Sequence, residues 1–65
     1  MEILVPEEFC DKTLAELQLR KNHGVSVLAV GYEEKFKINP PPQERLHRGM
    51  ILVLLGSNED IGRLV

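Results

Sequence analysis

Two runs of this 65-residue chain are apolar on both sides of an extended backbone. In residues 25–30 every position except Ser26 is apolar, and residues 51–55 contain no polar side chain. Side chains alternate across a strand, so strands of this kind need cover on both faces. A chain this short forms one small domain, and a single helical layer is most of what it has left to cover a sheet. The pattern predicts helices over one face and a second copy of the domain over the other. Size points the same way. Below roughly 70–80 residues one core seldom supplies more than about 3–5 kcal/mol, and disulfides, metals or oligomerisation make up the shortfall. The single cysteine excludes an internal disulfide, and with two histidines it makes a poor structural metal set.

The remaining segments supply the other elements. Residues 2–5 read as a strand ended by Pro6. Thr13 and Glu16 have the spacing of a capping box, Leu14 and Leu17 share a helical face, and Gly24 is the natural stop. One short helix of roughly two to three turns is expected between them. In the strand that follows, Val25, Val27 and Ala29 are expected on one side and Ser26, Leu28 and Val30 on the other. Glu33 to Lys35 form a polar turn. Residues 35–38 then alternate, with Phe36 and Ile38 expected inward and the lysines outward, as the second arm of a hairpin. Asn39 and the prolines at 40, 41 and 42 end the pairing. The segment up to Gly49 reads as a loop pinned by Leu46, and residues 51–55 as a central strand. Ser57 to Asp60 start a second helix, with Ile61, Leu64 and Val65 on its buried side. Leu17, Val27, Leu52 and Leu54 are the expected core. The fold class is α+β: a small sheet of about four strands with two short helices on one face, dimerising through further apolar surface. Because the first strand begins directly after Met1, residues 1–65 are expected to be a single domain of a longer polypeptide.

Charge and motifs narrow the function. The formal net charge is −2, and positive residues gather only at Arg20-Lys21 and between Arg45 and Arg48. That is thin for a nucleic-acid groove, where several phosphates must be neutralised, but enough for a small anion. No apolar run approaches the roughly 18–20 residues of a membrane span, so direct insertion is not expected. Nucleophile elbow, zinc-spaced histidines and phosphate-cradling glycine loop are all lacking, so no enzyme activity is expected. Cys10 reads as a small buried hydrophobe, and its free thiol fits a reducing cytoplasm. His23 and His47 read as packed or solvated rather than as metal ligands. Arg20, at the end of the first helix, interacts well with the macrodipole there. It is either a surface arginine or an anion contact.

The order Lys12-Thr-Leu-Ala-Glu-Leu17, Leu19-Arg20, Gly24-Val25, Val27-Leu-Ala-Val30, Asn39-Pro40, Leu46, Gly49 and Leu52-Val-Leu-Leu-Gly56 resembles the C-terminal domain of the regulator of potassium conductance family, also called the TrkA C-terminal (TrkA-C, RCK-C) domain. The resemblance covers residues 2–65. It implies an α+β unit that pairs two-fold, usually follows a nucleotide-binding Rossmann domain, and regulates potassium channels, uptake systems and other cation transporters. Some members bind cyclic di-AMP between two such domains. Carried over by motif, the phosphate-facing arginine is Arg20, and the base-facing apolar positions are Leu14, Val25, Val27 and Pro40. Ser26 stands where the best-known cyclic di-AMP binders have asparagine, which shortens one ligand contact. Gly49-Met50 replaces a common Gly-Asp.

The implied protein is a homodimeric, cytoplasmic regulatory domain at the inner face of the membrane. It would act on a channel or transporter subunit, or on flanking domains of its own chain, with no nucleic-acid partner. No cofactor is expected apart from cyclic di-AMP or another small anionic ligand. Two rivals stay open: a ligand-free dimerisation module of a transport protein, and a small oxyanion-binding β-rich domain.

Overall fold

The computed structural model describes residues 1–64. In chain order its strands are β1 (Glu2–Leu4), β2 (Ser26–Tyr32), β3 (Lys35–Ile38) and β4 (Ile51–Leu55). Its α-helices are α1 (Leu14–Leu17), α2 (Leu19–His23) and α3 (Asn58–Gly62), and Glu7–Phe9 form a turn of 3-10 helix. The strands make one antiparallel sheet in the order β1-β4-β2-β3. Apolar β4 therefore lies inside the sheet, as its composition requires.

One face of the sheet is closed. Leu52 and Leu54 on β4 are fully buried against Val25 and Val30, and Leu17, Leu19, Phe9 and Ile61 from the helical segments join the same cluster. This is the expected α+β architecture with its helices on one face. Val27 packs against that core while staying half-buried, less enclosed than the sequence implied. Leu46 is fully buried and pins the long loop as expected: its amide donates to the Lys12 carbonyl and its carbonyl accepts from Asp11. Further along that loop, the Pro42 and Glu44 carbonyls accept from Ala15 and Leu14, so the loop runs beside the start of α1.

The expected single helix is two. Gln18 adopts the left-handed conformation, φ 44° and ψ 56°, and separates α1 from α2. The side-chain amide of Asn22 donates to the Leu17 carbonyl at the break, 3.1 Å away. Both ends are as expected: the Thr13–Glu16 capping box is formed, and Gly24 ends α2 at φ 71°. Ser57 caps α3, whose Ile61 is buried; Leu64 packs against the core, and Val65 lies outside the described residues.

Strict alternation fails in β2. Val27 opposes Leu54 and Ala29 opposes Val53, so Leu28 is an extra residue without a partner on β4. A bulge of this kind inverts the parity of everything beyond it. Val30 thus joins Val25 and Val27 on the core face, whereas Ala29 turns to the opposite face, contrary to the alternation expected. The edge strand β3 follows the same rule. Lys37 pairs with Val30 on the core side, which leaves Phe36 and Ile38 on the open face, 47% and 77% exposed. They do not point inward as expected, because the helical layer covers the other side. Cys10 is half-buried, with its thiol 3.7 Å from the Pro6 carbonyl.

Two outcomes follow. Leu54→Ala removes a side chain that is 1% exposed and should cost about 2–5 kcal/mol in urea unfolding; a loss below about 0.5 kcal/mol would put Leu54 outside the core. The second concerns pH. Glu16 accepts from the Thr13 backbone amide at 2.9 Å. That bond, and then the contact with the Thr13 side chain, lowers the Glu16 pKa below the ordinary glutamate value. A folded-state pKa below the unfolded one gives stability that is present above the unfolded pKa and lost as pH falls through the folded one. Glu16→Gln should therefore lower the melting temperature at neutral pH, and the gap to wild type should close as pH falls through the carboxylate range. A pH-independent gap would rule out the ionised carboxylate as the cause.

Candidate functional site

The break at Gln18 shapes the surface beside α2. A continuous helix would carry residues 19–23 along the axis of α1, but the left-handed residue redirects them. The new segment runs from Leu19, which is buried, through Arg20 to Gly24, whose amide donates to the Leu19 and Arg20 carbonyls. Val25 N–H also reaches the Leu19 carbonyl, at 3.4 Å. A side chain at Gly24 would be strained at this φ, and its Cβ would lie 2.8 Å from Asp60 Oδ2, next to the start of α3. The turn from α2 into β2 is thus held tightly from several directions.

A depression of about 220 Å³ lies against this turn, lined by Leu14, Leu19, Arg20, Val25, Ser26 and Val27. Arg20 Nη2 donates to Ser26 Oγ at 3.0 Å. Five of the six positions drawn from the family resemblance therefore come together. Pro40 does not line the depression; it is half-buried just beyond the end of β3. Val25 is 1% exposed and forms part of the floor, so it offers almost no surface of its own. Leu19 is the lining residue that the sequence reading missed. Its signal was its place beside Arg20, but a one-helix reading gave no reason to bring it to the same hollow as Leu14.

The chemistry of this hollow is one-sided. A guanidinium carries five N–H donors and no acceptor, and here one of them is engaged by Ser26. The Ser26 hydroxyl accepts that bond and keeps its own proton free to donate. Both polar side chains thus present donors, over walls of leucine and valine. Such a surface suits an anionic oxygen attached to an apolar or aromatic body.

Larger hollows lie elsewhere, and in the two lined by lysine or arginine acidic side chains share the lining. In one of about 440 Å³ beside the β2–β3 hairpin, Lys37 Nζ is 2.8 Å from Glu44 Oε1. Metal binding gains no support. Among the described residues no three His, Cys, Asp or Glu side chains gather as a metal site. His23 packs edge-on against Phe9, and His47 lies 4.0 Å from Asp11. No helix among the described residues is long and apolar enough to cross a membrane.

Comparison with known proteins gives this geometry a setting. The family model of the TrkA-C domain matches residues 1–65. Ktr system potassium uptake protein C of Bacillus subtilis (strain 168) is 29% identical over 63 residues; the match takes in 97% of this chain and 28% of that protein. The chain therefore spans little more than a quarter of that relative. Among solved structures, the RCK C domain of the potassium transport protein KtrA, in complex with cyclic di-AMP, superposes with a TM-score of 0.90 at 27% identity, covering 97% of this chain and 74% of that one. The RCK_C domain dimer of S. agalactiae BusR, in complex with the same ligand, superposes with a TM-score of 0.87 at 25% identity, covering 97% and 86%. BusR is also known in complex with its busAB-promotor DNA, in a chain of which this domain covers 32%.

The helix break itself can be tested. A non-glycine residue in the left-handed region costs roughly 1–2 kcal/mol, and glycine gives back part of that through its greater freedom when unfolded. Gln18→Gly should therefore raise stability by about 0.5–1 kcal/mol in denaturant unfolding. A clear loss would mean that the break does not persist in solution.

Proposed function

Because this chain belongs to the TrkA-C domain family, we propose that it is the ligand-sensing, self-pairing module of a prokaryotic potassium (or other cation) channel or transporter. It acts by binding, without catalysis. The observation that carries this reading is the Arg20–Ser26 pair at the mouth of an apolar depression. At about 220 Å³ the depression falls short of the roughly 300 Å³ at which small-molecule pockets begin. Two copies related by a two-fold axis offer twice that volume and two arginines. A two-fold anionic ligand, of which a cyclic dinucleotide is one, meets both halves alike. The cyclic di-AMP complexes of KtrA and of the BusR dimer support the same reading.

Binding across the pair would favour one geometry of the two domains and pass to the transport protein as a shift in population. The module would then work at the cytoplasmic face of the membrane, beside a channel or transporter subunit or flanking domains of its own chain. With a net charge of −2, these 65 residues offer little to a DNA backbone, and no nucleic-acid partner is proposed for them.

One observation favours a second reading, a ligand-free assembly module. Arg20 already spends a donor on Ser26, and the serine is too short to reach far into a cleft. Cyclic di-AMP affinity is accordingly expected to be weak in this member. Calorimetry with cyclic di-AMP on wild type, Arg20→Ala and Ser26→Asn separates the two. Charge-assisted bonds are worth about 1.5–3 kcal/mol each, so Arg20→Ala should weaken binding about tenfold or more, and the longer amide of Ser26→Asn should tighten it. Equal binding by wild type and Arg20→Ala overturns the site. No binding by any of the three favours the assembly module.

A further inference from the structure

The hollow of about 440 Å³ beside the β2–β3 hairpin lies on the helical side of the sheet. Val30 faces that side with Lys37 opposite it, and two residues along the strand Tyr32 stands opposite Lys35. Residues paired across antiparallel strands share a face, so these four make one patch. No helical residue lines the hollow; the long loop closes it instead, through Glu44 and Met50. Its volume falls within the roughly 300–1,000 Å³ of small-molecule sites, which the Arg20 depression alone does not reach.

The walls are held from behind. Val30 and Met50 are buried and form the floor, and the His47 amide donates to Met50 Sδ at 3.1 Å. A Cβ at Gly49 would stand 3.6 Å from Tyr32 Cε1, so the loop backs the half-exposed ring. The Glu44 carboxylate accepts from Lys37, and the Glu44 amide donates to the Pro41 carbonyl. A site ordered before contact loses little freedom on binding.

Charge decides what fits. Around the hollow Lys35 and Lys37 are balanced by Glu33 and Glu44. A polyanion would meet two carboxylates there, and a cation two ammonium groups. A zwitterion finds a partner for each of its charges. Lys37 and Glu44 satisfy one another, whereas Lys35 and Glu33 have no ion-pair partner among the described residues. Between the charges lie valine, methionine and the tyrosine ring, and methionine adapts its shape to flat and branched groups alike.

We propose that this hollow is a second ligand site, which takes a small zwitterion with a large apolar side chain, the chemistry of a free α-amino acid. The carboxylate meets Lys35, the ammonium meets Glu33, and the side chain lies over Val30 and Met50 against Tyr32. No residue lines both this hollow and the Arg20 depression, so the proposal stands independently of the function proposed above. Because the charged partners are exposed, the dissociation constant should be on the order of 1 mM.

Two-dimensional amide NMR titrations test the proposal, with L-phenylalanine, 3-phenylpropionate and phenethylamine as probes. The proteins are wild type, Lys35→Ala, Tyr32→Ala and Arg20→Ala, and the same spectra report whether each is folded. L-Phenylalanine should give saturable shifts in wild type at residues 30–37 and 44–50. Phenylpropionate lacks the ammonium and phenethylamine the carboxylate, so each should bind about three- to fivefold more weakly. Lys35→Ala should weaken L-phenylalanine by a similar factor, Tyr32→Ala should weaken it too, and Arg20→Ala should leave it unchanged. If Tyr32→Ala fails to fold, Lys35→Ala decides, because the Lys35 side chain is exposed and unpaired among the described residues. Absence of saturable shifts at the hairpin overturns the site, as does equal binding of the three probes. Shifts centred on Leu14, Arg20 and Val27 overturn it as well. Cyclic di-AMP binding that survives any of these failures leaves the function proposed above standing.

Discussion

The domain depends on the contact between β4 and the helical layer. Leu52 and Leu54 project from the second strand of the sheet into a cluster closed by Leu17, Leu19, Phe9, Leu46 and Ile61. Neither a disulfide nor, among the described residues, a metal site supports this layer. Helical pieces of four and five residues would not persist alone, since isolated helices shorter than about 12–15 residues are marginal in water. Their conformation comes from the core they cover and from caps at Thr13, Gly24 and Ser57. Local capping and tertiary burial therefore support each other, and loss of either frees the chain on both sides of β2.

Most of the fold was legible because its signals are local. A capping box, a left-handed glycine and an uninterrupted apolar run each have one ready physical meaning, and each stands where it was expected. What escaped notice was relational. The bulge at Leu28 leaves no mark in composition, because leucine, alanine and valine follow one another on either side of it. It exists only as a mismatch between β2 and β4. Once present, it exchanged the faces of Ala29 and Val30, and expectations built on alternation failed beyond it. The break at Gln18 was hidden for a related reason: glutamine is a fair helix former, and its left-handed conformation is imposed by what α2 and β2 must reach.

Legibility of the candidate site divides along the same line. Arg20 and Ser26 were named from a family resemblance, and the fold brings them within hydrogen-bond distance. Pro40 was named on the same grounds, yet it stands apart from the depression. It follows the end of β3 at Ile38, where pairing with Ala29 of β2 stops. Leu19 escaped because its neighbours in space are set by the helix break and not by heptad-like spacing. Identity along the chain thus located the polar chemistry, while the backbone irregularities decided the walls around it.

Those two irregularities also link recognition to assembly. The break at Gln18 sets the course of α2, from which Arg20 reaches Ser26. The register of β2 places Ser26 opposite Leu55, on the open side of the sheet. The Arg20–Ser26 bond accordingly spans the seam between the covered face and the open one. In a fully enclosed domain such a seam would be an inert edge. In a domain with one face uncovered, an anion that draws Arg20 away from Ser26 changes the polar rim of the face available to a partner. The reverse also holds, because coupling between ligand and partner must be reciprocal. On the function proposed above, Arg20 is the side chain shared by the anion site and the rim of the open face.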